Sequence, residues 1–400
     1  MIQSAPTLLR RHDGIDGGRV TPVELFFDLV FVFAVTQLSH ALLAQPIPLR
    51  AAQVSLLLIA VWGVWIYTSW VTNWLDPERI PVRLCLFALM LAGVVLAASI
   101  PEAFAERGSA FAGAYVFMQV GRTLFFLWAA RRAPVRMIRN FQRILAWLVV
   151  SGLFWIAGGF SREETRFAWW AAALLLEYIS PWLYFWVPGL GRSSIADWNI
   201  HGGHMAERCA LFVIIALGES LLVTGATFAE LAWSAETLGG LTIAVLSSMA
   251  MWWIYFDTGA PRAQHRIERE ADPGRQGRMA YTYLHLLIVG GIIVSAVADE
   301  LVLVHPDQIT DAGIAAIIGA PALYLLGNAL FKWVTNVRRA PPLSHVVGLL
   351  LFLPLLPSAF AHRFSALMLN AIALGILIVV TGWESIAIRK PLAPASANRR

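Results

Sequence analysis

Apolar runs of about twenty residues recur along the whole 400-residue chain, separated by short polar connections. That recurrence limits the possible folds more than any motif does. A helix of this length crosses roughly 30 Å of hydrocarbon while closing its backbone hydrogen bonds internally. With 58% hydrophobic residues, 14% charged residues and a mean hydropathy of +0.66, the chain has too little polar surface to coat a soluble globule. It is therefore expected to be an all-α polytopic membrane protein. Twelve spans are predicted, at about 24–44, 51–74, 82–100, 109–130, 144–160, 167–187, 207–229, 237–257, 280–298, 312–333, 346–362 and 366–388. The first run starts after about twenty residues and is full length, so it is expected to stay in the membrane and not be cleaved as a leader.

The connecting segments orient these spans, because cytoplasmic loops collect arginine and lysine. With a cytoplasmic N-terminus, the inside segments hold 23 basic residues, including Lys332 and the run RRAPVRMIRNFQR at 131–143. The outside loops hold five, namely Arg50, Arg107, Arg162, Arg166 and Arg363. Both termini are then expected to be cytoplasmic. The net charge of +5 follows from this bias and calls for no nucleic-acid partner. The bilayer is the expected partner, with a small ion or solute and an oligomer as further possibilities.

The second half of the chain resembles the first. LFALMLAGVVLAASIPEA (86–103) aligns on LHLLIVGGIIVSAVADEL (284–301), WIY at 65–67 on WIY at 253–255, and GRTLFFLWAARRAP (121–134) on GNALFKWVTNVRRAP (327–341). Glu177 falls on Glu384. A 6+6 tandem repeat is expected: segment 1–23, repeat 24–187, linker 188–206, repeat 207–388 and a basic tail 389–400. Six spans is an even number, so the two copies run parallel, related by an axis along the membrane normal.

Polar residues inside such spans normally face the bundle interior, because a centrally placed charge costs about 2.5–3.5 kcal/mol even on lenient scales. The candidates for a polar interior are Glu24, Asp28, Phe31, Thr36, Gln37 and His40 in span one, Arg122 in span four and Glu177 in span six. The second half adds Glu207, Arg208, Glu219, Asn328 and Glu384. Three acids against one base in the first half leave carboxylates that are protonated, hydrated or holding a cation. The competing structural explanation is a buried pair of Arg122 with Asp28 or Glu24 that fixes helix register. HGGHMAE offers His201, His204 and Glu207 at spacings of three as a metal site at the cytoplasmic mouth. No other cofactor is implied. Walker, GxGxxG and GxSxG motifs are absent, as is any CxxC pair, so an enzyme is not the favoured class. Trp62, Trp65, Trp70, Trp74, Trp169, Trp170, Trp252 and Trp253 sit near span ends, where interfacial anchoring is the ordinary role.

VELFFDLVFVFAVTQLSH (23–40), followed by ERCALFVIIALGES (207–220), resembles the bacterial low temperature requirement A (LtrA) family. That resemblance implies a multi-pass membrane protein linked to growth in the cold, with no cofactor and no agreed site residues. Phe26, Asp28, Val30, Phe31, Ala34, Val35, Thr36 and Leu38 also resemble the first helix of endo-lysosomal potassium channels of the transmembrane protein 175 type. This second likeness implies two six-span repeats, Asp28 in a polar network and Phe31 or Val35 facing a conduit. A transporter or channel for protons, cations or a small polar solute is the expected function. The alternatives are a membrane enzyme using the His201/His204/Glu207 mouth and a structural or signalling protein.

Overall fold

The computed structural model describes residues 7–10, 19–194, 197–198, 202–257, 276–335 and 340–389. Twelve helices run through them: α1 (Pro22–Ala44), α2 (Pro48–Trp74), α3 (Ile80–Glu102), α4 (Gly108–Ala129), α5 (Val135–Phe160), α6 (Glu163–Ile179), α7 (Gly202–Glu230), α8 (Ala235–Phe256), α9 (Arg278–Val304), α10 (Asp311–Thr335), α11 (Leu343–Phe360) and α12 (Ala366–Arg389). Among the described residues, eleven are long and apolar enough to cross a membrane. The chain is a multi-pass integral membrane protein. The twelfth helix, α6, has 17 residues and ends at Ile179, eight residues before the predicted end of span six. Pro181 ends it, because proline cannot donate to the preceding turn and its ring crowds that turn's carbonyl.

Proline and capping residues set several helix starts. Pro48 and Pro81 occupy the first turns of α2 and α3, where a missing N–H costs nothing. At α1, Pro22 follows Thr21, whose N–H donates to Glu24 Oε2 at 2.9 Å. α5 starts after Pro134, nine residues earlier than span five was expected to begin. Most of the basic run 131–143 is therefore helix, and Arg143 is buried, donating to Leu190 O at 2.7 Å and 2.9 Å. The basic stretch 262–275 and the tail from 390 lie outside the described residues.

α1 packs on α2 and α3 and crosses to α7 and α9; α7 packs on α8 and α9; α12 lies against α8, α10 and α11. The deepest part of the molecule is aromatic. Trp62, Trp65, Trp70, Trp74 and Trp170 are buried, and only Trp169, Trp252 and Trp253 of the eight expected anchors face outward. The reason is neighbouring structure: Trp62, Trp65 and Phe212 close on one another with centroids 4.4–5.4 Å apart, joining α2 to α7.

α9 and α10 approach most closely, through glycines. A Cβ on Gly291 would lie 2.7 Å from Tyr324 N, and one on Gly327 would lie 2.9 Å from Ile288 N. Backbone atoms cannot step aside, so this contact admits no larger residue. Gly291→Val and Gly327→Val should each destabilise the protein by about 1–3 kcal/mol through overpacking. Thermal denaturation in detergent checks this, with Gly319→Ala, whose Cβ meets nothing within 4 Å, expected to match the parent or melt slightly higher.

Candidate functional site

α1 and α7 lie side by side, and their polar residues meet in a cluster shielded from solvent. Arg208 of α7 donates from Nη2 to Asp28 Oδ1 at 2.7 Å, while its Nη1 lies 3.4 Å from Glu24 Oε1. Asp28 and Glu24 are one turn apart on α1, so a single guanidinium spans both. Trp65 Nε1 donates to Asp28 Oδ1 at 2.7 Å, and the Arg208 guanidinium sits 5.6 Å from the Trp65 ring centre. His204 Nε2 lies 2.8 Å from Glu24 Oε1, and its Nδ1 lies 3.2 Å from Asn73 Nδ2. Only one neutral tautomer satisfies both contacts: Nε2–H donates to Glu24 and Nδ1 accepts from Asn73. Glu24, Asp28, Asn73, His204 and Arg208 are all buried.

The cluster is completed from outside the helices. Residues 8–10 lie along the end of α2, with Arg10 N donating to Trp74 O at 2.8 Å and Asp76 N to Leu8 O at 2.9 Å. This strap delivers the Arg10 guanidinium to Glu24 Oε2 at 2.8 Å, with further bonds to Leu75 O and Arg19 O. With His204 neutral, two guanidiniums face two carboxylates and the charges cancel. The two-base shortfall expected for the first half is met by Arg208 from the second half and Arg10 from the strap.

Deeper along the seam, the Thr36 hydroxyl donates to Glu219 Oε1. Phe31 and Val35 are buried in the apolar core that also holds Phe212, Val213 and Ala216 of α7, so the face expected to line a conduit is covered by protein. Gln37 is half-buried and His40 is exposed, which removes His40 from the interior. Glu207 is exposed too, accepting from Val20 N at 3.2 Å. The proposed metal trio does not assemble in the described residues: His204 is committed to Glu24 and Asn73, Glu207 faces outward, and His201 lies outside them. Among the described residues no group of three metal-capable side chains forms.

The remaining buried acids have separate partners. Arg122 pairs with neither Asp28 nor Glu24, contrary to the register-pair expectation. It donates to Thr68 Oγ1 at 3.0 Å, Val64 O at 3.3 Å and Gln119 Oε1 at 2.5 Å. Glu177 accepts from Tyr115 at 2.6 Å, Trp155 at 3.0 Å, Gln119 at 3.2 Å and Ser151. Glu384 binds Lys332 Nζ at 2.8 Å, with His345 Nε2 3.9 Å away. Lys332 was expected in a cytoplasmic loop; its burial in α10 is explained by this pair. Asn328 is buried beside it, donating to Tyr324 O at 3.0 Å. Sequence reasoning also passed over Asp299, which Asn370 reaches at 3.3 Å, and His285, whose Nε2 meets Tyr255 OH at 2.8 Å. Asp299 falls one residue beyond the span predicted at 280–298, yet α9 continues to Val304.

The family described as Bacterial low temperature requirement A protein (LtrA) matches residues 19–381. A protein of Rhizobium meliloti (strain 1021), "Uncharacterized protein RA0937", is 43% identical over 387 residues, covering 95% of this chain and 92% of that protein. No solved structure matches the chain.

Removing one partner from the cluster leaves its opposite charge buried and unpaired. Arg208→Leu should therefore destabilise the protein by about 3–5 kcal/mol. Asp28→Leu combined with Arg208→Leu should recover part of that loss, and a double-mutant cycle of melting curves in detergent measures the coupling.

Proposed function

The chain belongs to the LtrA family, and from that premise we propose that it is a transport protein of the bacterial inner membrane, moving protons, cations or a small polar solute. In this proposal the α1–α7 charge cluster closes its cytoplasmic mouth. The observation that carries the proposal is the cluster itself: four ionisable side chains buried where α1 meets α7, one of them held by an external strap. A buried ion network is not the cheapest way to hold two helices together. Apolar side chains of similar volume commonly stabilise as well or better. A charged contact differs in one respect, which is that water can separate it at small net cost. Intramembrane charges are accordingly typical of gates and pathways. Arg10 sits on a strap outside the bundle, so its withdrawal would expose Glu24 without unfolding a helix.

Two further features belong to the proposal. The neighbour relations α1–α2 and α1–α3 are repeated by α7–α8 and α7–α9, and Glu177 and Glu384 are each buried near the ends of α6 and α12, as a duplicated architecture requires. The excess of basic residues in the connections of one side, 22 against five once the buried Lys332 is left out, supports a cytoplasmic position for both termini. A role in growth at low temperature, which the family's name carries, is included.

Purified protein in liposomes tests the mechanism. Proton or monovalent-cation flux is expected, with Arg10→Ala raising the basal rate several-fold and Asp28→Asn altering flux beyond any change in melting temperature. Absence of flux in the parent and in Arg10→Ala, together with an Asp28→Asn variant changed in stability alone, would leave the cluster as a register device and end the transport proposal. Orientation is checked by fusing a fluorescent protein and, separately, alkaline phosphatase to the C-terminus. The first should fluoresce and the second should be inactive.

A further inference from the structure

Asp299 differs from Glu24, Asp28, Glu177 and Glu384. Glu24 and Asp28 have arginines, Glu384 has Lys332, and Glu177 has four neutral donors. Asp299 is 2% exposed, and among the described residues no basic side chain pairs with it. Asn370 Nδ2 donates to its Oδ1 at 3.3 Å, and its Oδ2 has no hydrogen-bond partner. A carboxylate left in this state in a low-dielectric interior is costly, so it either takes a proton or holds a cation.

Next to Asp299, a cavity of about 10 Å³ lies between α8, α9, α10 and α12. That is close to the least space that one water-sized body needs. Its polar lining comes from Ser247 of α8, Ser295 of α9 and Asn370 of α12, and no lining residue carries a charge. Asn370 is the residue that bonds Asp299, and Ser295 lies one turn before Asp299 on the same face. α10 adds a backbone oxygen. Pro321 stands inside that helix and has no N–H to give to the carbonyl of Ile317 one turn earlier, and both residues line the cavity. Backbone carbonyls without helical partners coordinate small cations in interrupted membrane helices. The walls are held at a fixed spacing, because the close contact of Gly291 with Tyr324 lies about one turn from both Ser295 and Pro321.

We propose that this cavity binds one sodium ion, with the Asp299 carboxylate supplying the opposite charge. The Ile317 carbonyl, the Ser247 and Ser295 hydroxyls and the Asn370 amide supply neutral oxygens. All are hard donors of the kind that suits such an ion. One carboxylate balances one positive charge, which selects a monovalent ion over magnesium or calcium. The small volume selects sodium or lithium over the larger potassium ion. Asp299 lies five residues before the end of α9, about 8 Å along the axis, which leaves a short path from water. The site does not rest on the transport proposal and holds whether or not the protein transports anything.

The test uses the full chain in detergent, purified with choline as the only added cation. Thermal denaturation is followed as sodium chloride replaces choline chloride at constant ionic strength. Sodium bound to the folded state alone should raise the melting temperature saturably, by a few degrees. Lithium should act in the same way, and potassium should leave the melting temperature at its choline value. Asp299→Asn keeps the side-chain shape and removes the charge, so it should weaken apparent sodium affinity about tenfold or more. Pro321→Ala returns an N–H to the Ile317 carbonyl, so it should raise the melting temperature in choline and weaken the sodium response. Ser247→Ala serves as a further variant if Asp299→Asn fails to fold, with sodium about threefold weaker or more. Equal melting temperatures in sodium and choline, or an equal rise in potassium, overturns the proposal. So does a parent-like sodium response in folded Asp299→Asn, or in both Ser247→Ala and Pro321→Ala. Sodium-dependent stabilisation without ion flux in liposomes leaves this site and removes the transport proposal; flux without that stabilisation does the reverse.

Discussion

The guanidinium of Arg208 lies between Glu24 and Asp28, and the meeting of α1 with α7 depends on it. Without that charge, two carboxylates one turn apart would be buried on the same helix face with only His204, Trp65 and Arg10 to answer them. Mutual repulsion and desolvation would then separate the two helices or neutralise an acid. With it, α1 and α7 can close around the aromatic group of Trp62, Trp65 and Phe212, which in turn ties α2 to α7. A strong polar contact therefore fixes the rotation of α1, and apolar packing fills the space that this rotation leaves.

The protein answers its buried acids in three ways. Glu24 and Asp28 are matched by arginines from elsewhere in the chain. Glu384 is matched by Lys332 on the neighbouring helix α10. Glu177 is held by four neutral donors and meets no cation in hydrogen-bond range. Where neutral donors satisfy an acid, a nearby arginine is left without a carboxylate of its own. Arg122 is that arginine, and its neutral surroundings distinguish it from Arg208, which is fully engaged as a structural and electrostatic bridge. The two groups thus differ in chemistry: around Arg208 charges meet one another directly, whereas Arg122 and Glu177 are each held by neutral partners.

Class was legible in the sequence, as were eleven of the twelve predicted spans, because hydropathy is a local property and a helix in lipid must satisfy its own backbone. Much of the buried polar set was also legible: Glu24, Asp28, Arg122, Glu177, Arg208, Glu219, Asn328 and Glu384 are all buried, whereas His40 and Glu207 are exposed. Five of the eight tryptophans near span ends are buried, contrary to expectation, because position along a span does not report which face of the helix meets lipid. Lys332 was misassigned for a related reason, since a basic residue next to a loop counts as loop until its partner across the bundle is known. Arg10 and Asn73 carried no signal, because neither lies in an unusual pattern and their roles arise from a strap and a helix end brought together.

The sequence by itself therefore determined that the chain lies in a membrane as a bundle of helices and that it carries charge into that bundle. Each of those properties follows from residue type and spacing within one segment. The tertiary structure alone decided which charges meet, because residues 180 positions apart, Asp28 and Arg208, become partners only when two helices adopt one relative rotation. It also decided that Arg122 meets neutral oxygens and no carboxylate, since Glu177 is taken by Tyr115, Gln119, Ser151 and Trp155. Pairing is a property of three-dimensional proximity in a low-dielectric interior, and spacing along a chain does not encode it.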